Sequence, residues 1–468
     1  MKHSNGENSR SLRVNQVKIQ FTNKPITAWG GLAAIMAKLL EVLEFRSWVQ
    51  SALPVEERSN NAKGVYEKVL ATFLTVLSGG ERFSHLSWWA HGIEAIKKAF
   101  AVDWLPKASS TLTRFWGKIS TQYVSEKLSE AARGFAITLI DWQGIREDTL
   151  NLDSSVLIRY GNQQGAKRGY NPKKRGRPSH HPLLAFLGAG YVINVWNRSG
   201  DTGTGQGAVG FFRQTRMVLG DSFHVTRVLC DSGFYEIGFI EYLESNRFTY
   251  IISVPISHTI QREILQVQRW HTVSKGVEVG AFDFQHRDPK WTKPRRYVVV
   301  RQSISRRPKA LGKQPSLFKD FEDWSQYRFS VMITNDSEAT PEEIWRHYRP
   351  RANDENVVKD LKEGYCFESF NVNNFWATEA VLTMIALIFR NLIVYLNRTI
   401  LNPHRPQEQL KTLRHKYFTL PGQLGTGGRK YVLRLSIQER KMRATVISLI
   451  RRISLISHRL NCIAVDSG

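Results

Sequence analysis

The chain has 468 residues, 42% of them hydrophobic, which is enough apolar surface for two or three cores and too much for a disordered protein. Lys and Arg number 66 against 41 Asp and Glu, a formal charge of +25. An excess of that size calls for a polyanionic partner, either nucleic acid or an anionic membrane surface.

The membrane is the weaker candidate. Met1 to Arg13 is polar throughout, so no signal peptide is expected. The most apolar run, Ala380 to Leu396, is short for a span and is interrupted by Arg390 and Asn391, so it reads as a buried core helix. Cys230, Cys366 and Cys462 form no metal-type cluster, and their sparse, odd count fits a reducing cytoplasm.

Residues 1–28 read as a lead-in. From 29 to 135 the apolar spacing is helical, as in Ile35, Leu39 and Val42, or Val69, Phe73 and Val76. Ser109, Ser110 and Thr111 form a helix start that would place Arg114 near a helix N-terminus. That is the form of a recognition helix in a helix-turn-helix, and also of many ordinary helices. From 136 the pattern changes. FAITLI, TLNLDSSVLI, LLAFLGAGYVINVWN and HVTRVLC read as strands, YEIGFIEYLESNR as a helix, and FTYIISVPI as a strand, an α/β rhythm. Residues 257–330 break it with further strands between basic loops, read as a β-rich insertion. Residues 331–400 return to helix, and 401–468 form a basic C-terminal segment.

Asp153 sits among alternating apolar residues in LNLDSSVL, and Asp231 ends the apolar run of VLCDSGFY. Strand ends of α/β sheets carry functional groups, but Asp before Ser-Gly is also a common turn starter. The segment TPEEIWRHYRPRANDENVVKDLKEGY opens with a capping box, Thr340 with Glu343, and Pro341 at the first helical position. Pro350 is expected to kink or break this helix, leaving Asn353 to cap a second one. Glu355 and Lys362, seven residues apart, share a face. A straight helix would add Tyr348 and Arg351 to that face, which makes a poor core stripe and otherwise a solvated one.

Tyr348, Arg351, Glu355 and Lys362 match the Tyr-x2-Arg-x3-Glu-x6-Lys spacing carried by a large group of bacterial insertion-sequence DDE transposases. The stretch from Asp153 to Leu183, with its block GYNPKKRGRPSHHPL, resembles the first-aspartate region of one subgroup, distantly related to the piggyBac elements. The resemblance covers about residues 30–460. It implies an α/β fold with a ribonuclease-H-like catalytic core (136–256 and 331–400), interrupted by the β-rich insertion and preceded by an all-α DNA-binding domain (29–135). It further implies a catalytic and metal-binding triad of Asp153, Asp231 and Glu355. Two Mg²⁺ ions, replaceable by Mn²⁺ and roughly 4 Å apart, would be bridged by Asp153, with one held by Asp231 and the other by Glu355. Cleavage at a transposon end would leave a 3′-hydroxyl for attack on target DNA. Tyr348, Arg351 and Lys362 would grip phosphates near the cut. The partners implied are double-stranded DNA, both inverted-repeat ends and target, and a second copy in a homodimeric synaptic complex, all in the cytoplasm at the bacterial nucleoid.

Two further features bear on DNA. Lys173, Lys174, Arg175 and Arg177 in KKRGRP form either an AT-hook-like minor-groove reader or a basic loop gripping phosphate. Trp270, Trp291 and Trp324 offer either a stacking surface for a flipped base or core for the insertion. The glycines of SGDTGTGQGAVG lack a following Gly-Lys-Ser/Thr and read as a flexible turn. A ribonuclease-H-like nuclease that cuts without joining, and a catalytically silent DNA-binding repressor, are the competing functions.

Overall fold

Alternating apolar residues in TLNLDSSV form the first strand of a nine-stranded mixed sheet, β1 (Glu147–Ser154). The computed structural model describes residues 13–19, 21–55, 64–90, 92–172, 174–304, 327–370, 372–401 and 407–460; the side chains of 13, 14, 18 and 352–355 lie outside that description. The remaining sheet strands are β2 (Leu183–Leu187), β3 (Val192–Trp196), β4 (His224–Cys230), β5 (Tyr250–Val254), β6 (His271–Ser274), β7 (Val277–Phe284), β8 (Arg295–Ser303) and β9 (Tyr327–Thr334).

Across the sheet the order is β6-β7-β8-β9-β5-β4-β1-β2-β3. β1, β2 and β3 form an antiparallel meander. β4 runs parallel to β1 on its other side, and β5 runs parallel to β4. The run LLAFL is buried at all five positions, as a strand covered on both faces requires. β9 pairs antiparallel with β5, and β8, β7 and β6 follow, so the strands within 257–330 extend the central sheet.

Helices α1 (Gly30–Val42), α2 (Val65–Leu77), α3 (Ser109–Gly117) and α4 (Gln122–Trp142) precede the sheet. The segment FAITLI, expected as a strand, is the last part of α4. Its buried residues continue the series Leu128, Ala131, Ala132, Phe135, Ala136, Leu139 and Ile140, a helical spacing that outweighs the β-branched content of the run. α5 (Ala208–Leu219) and α6 (Ile237–Ser245) are the crossovers that follow β3 and β4. α4 and α5 both pack on β3.

After β9 come α7 (Pro341–Tyr348), with the expected capping box and Pro at its start, and α8 (Ala352–Lys359). Beyond them the apolar run forms α9 (Phe375–Thr383) and α10 (Asn391–Leu396), joined and followed by π-helical turns over Met384–Arg390 and Asn397–Leu401. The run 375–401 is long and apolar enough to cross a membrane by length and composition, yet its apolar window is entirely buried inside the fold. Asn391, one of the polar interruptions, is fully buried and works as a strand neighbour. Its Oδ1 accepts from Val192 N at 3.0 Å and its Nδ2 donates to Val192 O at 2.8 Å. Arg390 reaches the Gly190 carbonyl in the turn before β3.

Near the C-terminus a hairpin, Gly422–Gly427 with Lys430–Leu435, precedes the basic helix α11 (Arg440–Ser454). Ile26–Thr27, inside the expected lead-in, pairs with that hairpin, and α11 packs on α1. Among the described residues one buried cluster runs from Leu32 to Leu460.

Candidate active site

The parallel ladder between β1 and β4 pairs Leu152 with Cys230. Asp153 follows Leu152 within β1 and Asp231 follows Cys230 just past the end of β4, so the two stand side by side at the C-terminal ends of adjacent strands. Parallel strands lie about 4.8 Å apart, which brings two carboxylates into electrostatic contact. Burial drives the Asp153 carboxyl up from its ordinary 3.8 to about 6; Arg351 pulls it down, Asp231 adds to the rise, and Lys362 opposes it more weakly. Asp231 also fulfils its turn role, because its Oδ1 accepts from Gly233 N at 2.9 Å. Asp153 Oδ1 accepts from Ser154 N at 2.8 Å.

The helical segment 341–364 brings in the remaining groups. Pro350 interrupts the α-helix, as expected, without ending the helical run. The chain passes through a 3₁₀ turn, Arg349–Arg351, with Arg351 in the right-handed helical region, and continues as α8 and then a π turn, Asp360–Gly364. Asn353 therefore lies within α8 and does not cap a new helix. Tyr348 donates its hydroxyl to the carbonyl of Cys230 at 3.0 Å, fixing the end of α7 to the strand that delivers Asp231. Arg351 Nη1 donates to the Tyr348 hydroxyl at 3.4 Å, and its Nη2 stands 3.6 Å from Asp153 Oδ1. Lys362 Nζ donates to the carbonyl of Val156 at 3.2 Å, just past β1. Tyr348 and Arg351 thus reach β4 and β1, and Lys362 the segment that follows β1. The fourth signature residue, Glu355, sits on α8 between them, and its side chain lies outside the described atoms. Among the described residues no group of three His, Cys, Asp or Glu is placed to hold a metal ion.

A cleft of about 550 Å³ opens over this place. Asp231, Lys362, Val358 and His181 line it, together with Ser154, Thr204 and the segment Tyr170–Pro172. That segment leads into the basic loop, so Lys174, Arg175 and Arg177 stand exposed beside the cleft, while Lys173 lies outside the described residues. Lys174 and Arg177 both lie over the ring of Tyr160, at 5.0 and 5.7 Å. Arg114 does not join this group. It is exposed in the last turn of α3, not the first, because the helix already starts at Ser109, after Ala108. Trp291 is buried against Tyr235 and His286, and Trp270 is covered by the Arg301 guanidinium at 4.1 Å. Both are engaged within the fold, and Trp324 lies outside the described residues.

The family model described as "Transposase DDE domain group 1" matches residues 10–455, nearly the whole chain. The chain belongs to this transposase family. No curated protein matches it. Among solved structures it is similar to the piggyBac transposase synaptic complex with hairpin DNA, at 11% identity and a TM-score of 0.42, covering 85% of this chain and 80% of that one.

Sequence reasoning passed over several groups in this transposase's cleft. His181 is buried, and its contacts lie 21 and 27 residues away, beyond any local pattern. The glycine segment, read as a flexible turn, supplies Gly203 and Thr204 to the cleft wall. Its carbonyls are held by Arg198, whose Nη1 donates to Gly203, Thr204 and Gln206 at 3.0, 3.3 and 2.7 Å. The HHPL block was the available signal, since two histidines before a buried strand are unusual for core.

Proposed function

We propose that this protein is a DNA transposase that cuts at transposon ends and joins them to target DNA, with Asp153, Asp231 and Glu355 as its metal-holding acids. The observation that carries the reading is the pair Asp153 and Asp231 at the ends of neighbouring parallel strands, facing the helix of Tyr348, Arg351 and Lys362. The strand order β3-β2-β1-β4-β5, with one acid on the first strand and one after the fourth, supports a ribonuclease-H-like core.

The donor set suits hard divalent cations. It offers carboxylate oxygens, and the repulsion Asp231 exerts on Asp153 is what a cation would relieve. Two Mg²⁺ ions, or Mn²⁺ in their place, would supply there the activation of an attacking oxygen and the neutralisation of charge at phosphorus. The chain's own groups do the rest. Glu355 stands on α8, four residues after Arg351 and three before Val358, which lines the cleft. Arg351 offers a planar fork for phosphate and Lys362 a point charge. Tyr348 holds the helix against β4. The loop with Lys173, Lys174, Arg175 and Arg177 would track the DNA backbone next to the cut, and Arg114 would contact DNA from the N-terminal helices. The working form would be a homodimer bridging two ends, acting on nucleoid DNA in the cytoplasm.

The test is incubation of the full chain with a labelled duplex carrying the inverted repeat that flanks its coding sequence, in Mg²⁺. Cut ends joined to a target plasmid are expected. Cutting alone would point to a nuclease, and binding alone to a repressor.

A further inference from the structure

The floor of the cleft is closed by a ring of hydrogen bonds that none of the acids joins directly. His181 is 3% exposed. Its Nδ1 stands 2.8 Å from the carbonyl of Thr202, and its Nε2 stands 3.2 Å from Ser154 Oγ. A carbonyl only accepts, so Nδ1 carries the proton. Burial, with the Arg198 charge adding to it against the opposing bond to Thr202, holds the ring's proton affinity down and keeps it neutral. Nε2 is then bare and accepts from the Ser154 hydroxyl. Ser154 Oγ in turn accepts from Thr204 Oγ1 at 3.1 Å. The direction of every bond follows: Thr204 to Ser154, Ser154 to His181, His181 to Thr202.

Arg198 closes the ring from behind. It is 8% exposed, and its Nε donates to the carbonyl of His181 at 2.9 Å while its Nη1 holds the carbonyl of Thr204. Thr204 therefore has a fixed position, and it touches the neighbourhood of both acids. On one side its hydroxyl reaches Ser154, the residue after Asp153. On the other it packs against Gly233, where an added Cβ would stand 2.7 Å from Thr204 Cβ and Cγ2. Gly233 N is the donor that orients Asp231.

We propose that His181 and Arg198 are positioning residues which, through Thr204, set the separation of the Asp153 and Asp231 carboxylates and so their affinity for a divalent cation. This rests on the reading that the two acids hold metal. Groups that orient metal ligands from behind typically contribute 10–100-fold to metal affinity.

The experiment is calorimetric titration of the full-length protein with Mn²⁺ alone, without DNA. Thr204→Val, which keeps shape and removes the hydroxyl, and Gly233→Ala, which pushes on Thr204 without removing a polar group, are each expected to weaken Mn²⁺ binding by about tenfold. His181→Ala is expected to do the same, and Thr204→Ser to restore wild-type affinity. Circular dichroism and metal-free DNA binding should stay unchanged in Thr204→Val and Gly233→Ala, which separates positioning from general damage. Asp153→Asn is the reference. If it loses Mn²⁺ binding while Thr204→Val and Gly233→Ala bind like wild type, the positioning proposal is overturned and the metal reading stands. If Asp153→Asn binds Mn²⁺ as tightly as wild type, the metal reading fails and takes this proposal with it.

Discussion

The guanidinium of Arg351 stands 3.6 Å from the carboxylate of Asp153, tying the helical segment that carries Glu355 to β1. Both side chains are 15% exposed, and Arg351 is the largest influence favouring the charged form of Asp153. Arg351→Ala should destabilise the metal-free protein at pH 8 by about 2 kcal/mol, less than the roughly 3–5 kcal/mol for fully buried pairs. The loss should shrink at pH 5, where Asp153 is largely protonated and has no charge to compensate. Urea unfolding at the two pH values checks this. An equal loss at both would mean that the pair does not act through charge.

Asp153 itself carries a pH signature. Its folded value, about 6, lies above the ordinary 3.8, so the folded state holds the proton more tightly than the unfolded chain. The stability this gives is present below pH 4 and is lost as pH rises through 6. Relative to wild type, Asp153→Asn should thus be neutral below pH 4, gain between 4 and 6, and level off near 3 kcal/mol above. Thermal melts in a metal chelator across this range measure it. Adding Mn²⁺ should raise the wild-type midpoint and leave the variant unmoved. A variant that is less stable than wild type at pH 8 without metal would contradict the burial argument.

Asn391 gives a test of the fold away from the cleft. Its side chain pairs with both backbone groups of Val192, at the start of β3. Asn391→Leu keeps the volume but strands a buried N–H and a buried C=O, at about 2–4 kcal/mol in total. Guanidinium unfolding should show that loss, and a change below 0.5 kcal/mol would mean that water or a shift of the strand replaces the amide.

The basic loop decides between groove reading and phosphate gripping. Lys174 and Arg177 are held over Tyr160, as suits a fixed grip on the backbone. Lys174→Ala and Arg177→Ala should each lower the slope of log affinity against log salt by about 1, equally on A·T-rich and G·C-rich duplexes. A loss confined to A·T-rich DNA would favour the hook.

The elements most legible from the sequence were those with a local signal. The capping box of Thr340 and Glu343 and the strand pair of LLAFLGAGYVINVW are set by neighbours within a few residues. The end of α4 misled because Ile137, Thr138 and Ile140 are β-branched, while the burial that makes them helical comes from distant partners. Strands 271–334 were visible as strands, but their joining β5 through β9 is a non-local pairing that alternation does not encode. Asp153 and Asp231 each looked like an ordinary strand or turn acid. Their kinship is a register, Leu152 opposite Cys230, that no spacing along the chain expresses. The interruption at Pro350 was legible, but not its form: a 3₁₀ turn that leads straight into α8 and leaves Asn353 inside it, flanked by Tyr348 on Cys230 and Arg351 on Asp153.

The proposed metal site turns on Glu355, the acid assigned to join Asp153 and Asp231. Anomalous diffraction from crystals of the full-length protein grown with Mn²⁺ tests this most directly. The expected result is Mn²⁺ held jointly by the carboxylates of Asp153, Asp231 and Glu355, at about 2.0–2.2 Å from their oxygens. Mn²⁺ held there without Glu355, or bound by other groups while Asp153 and Asp231 keep none, would contradict it.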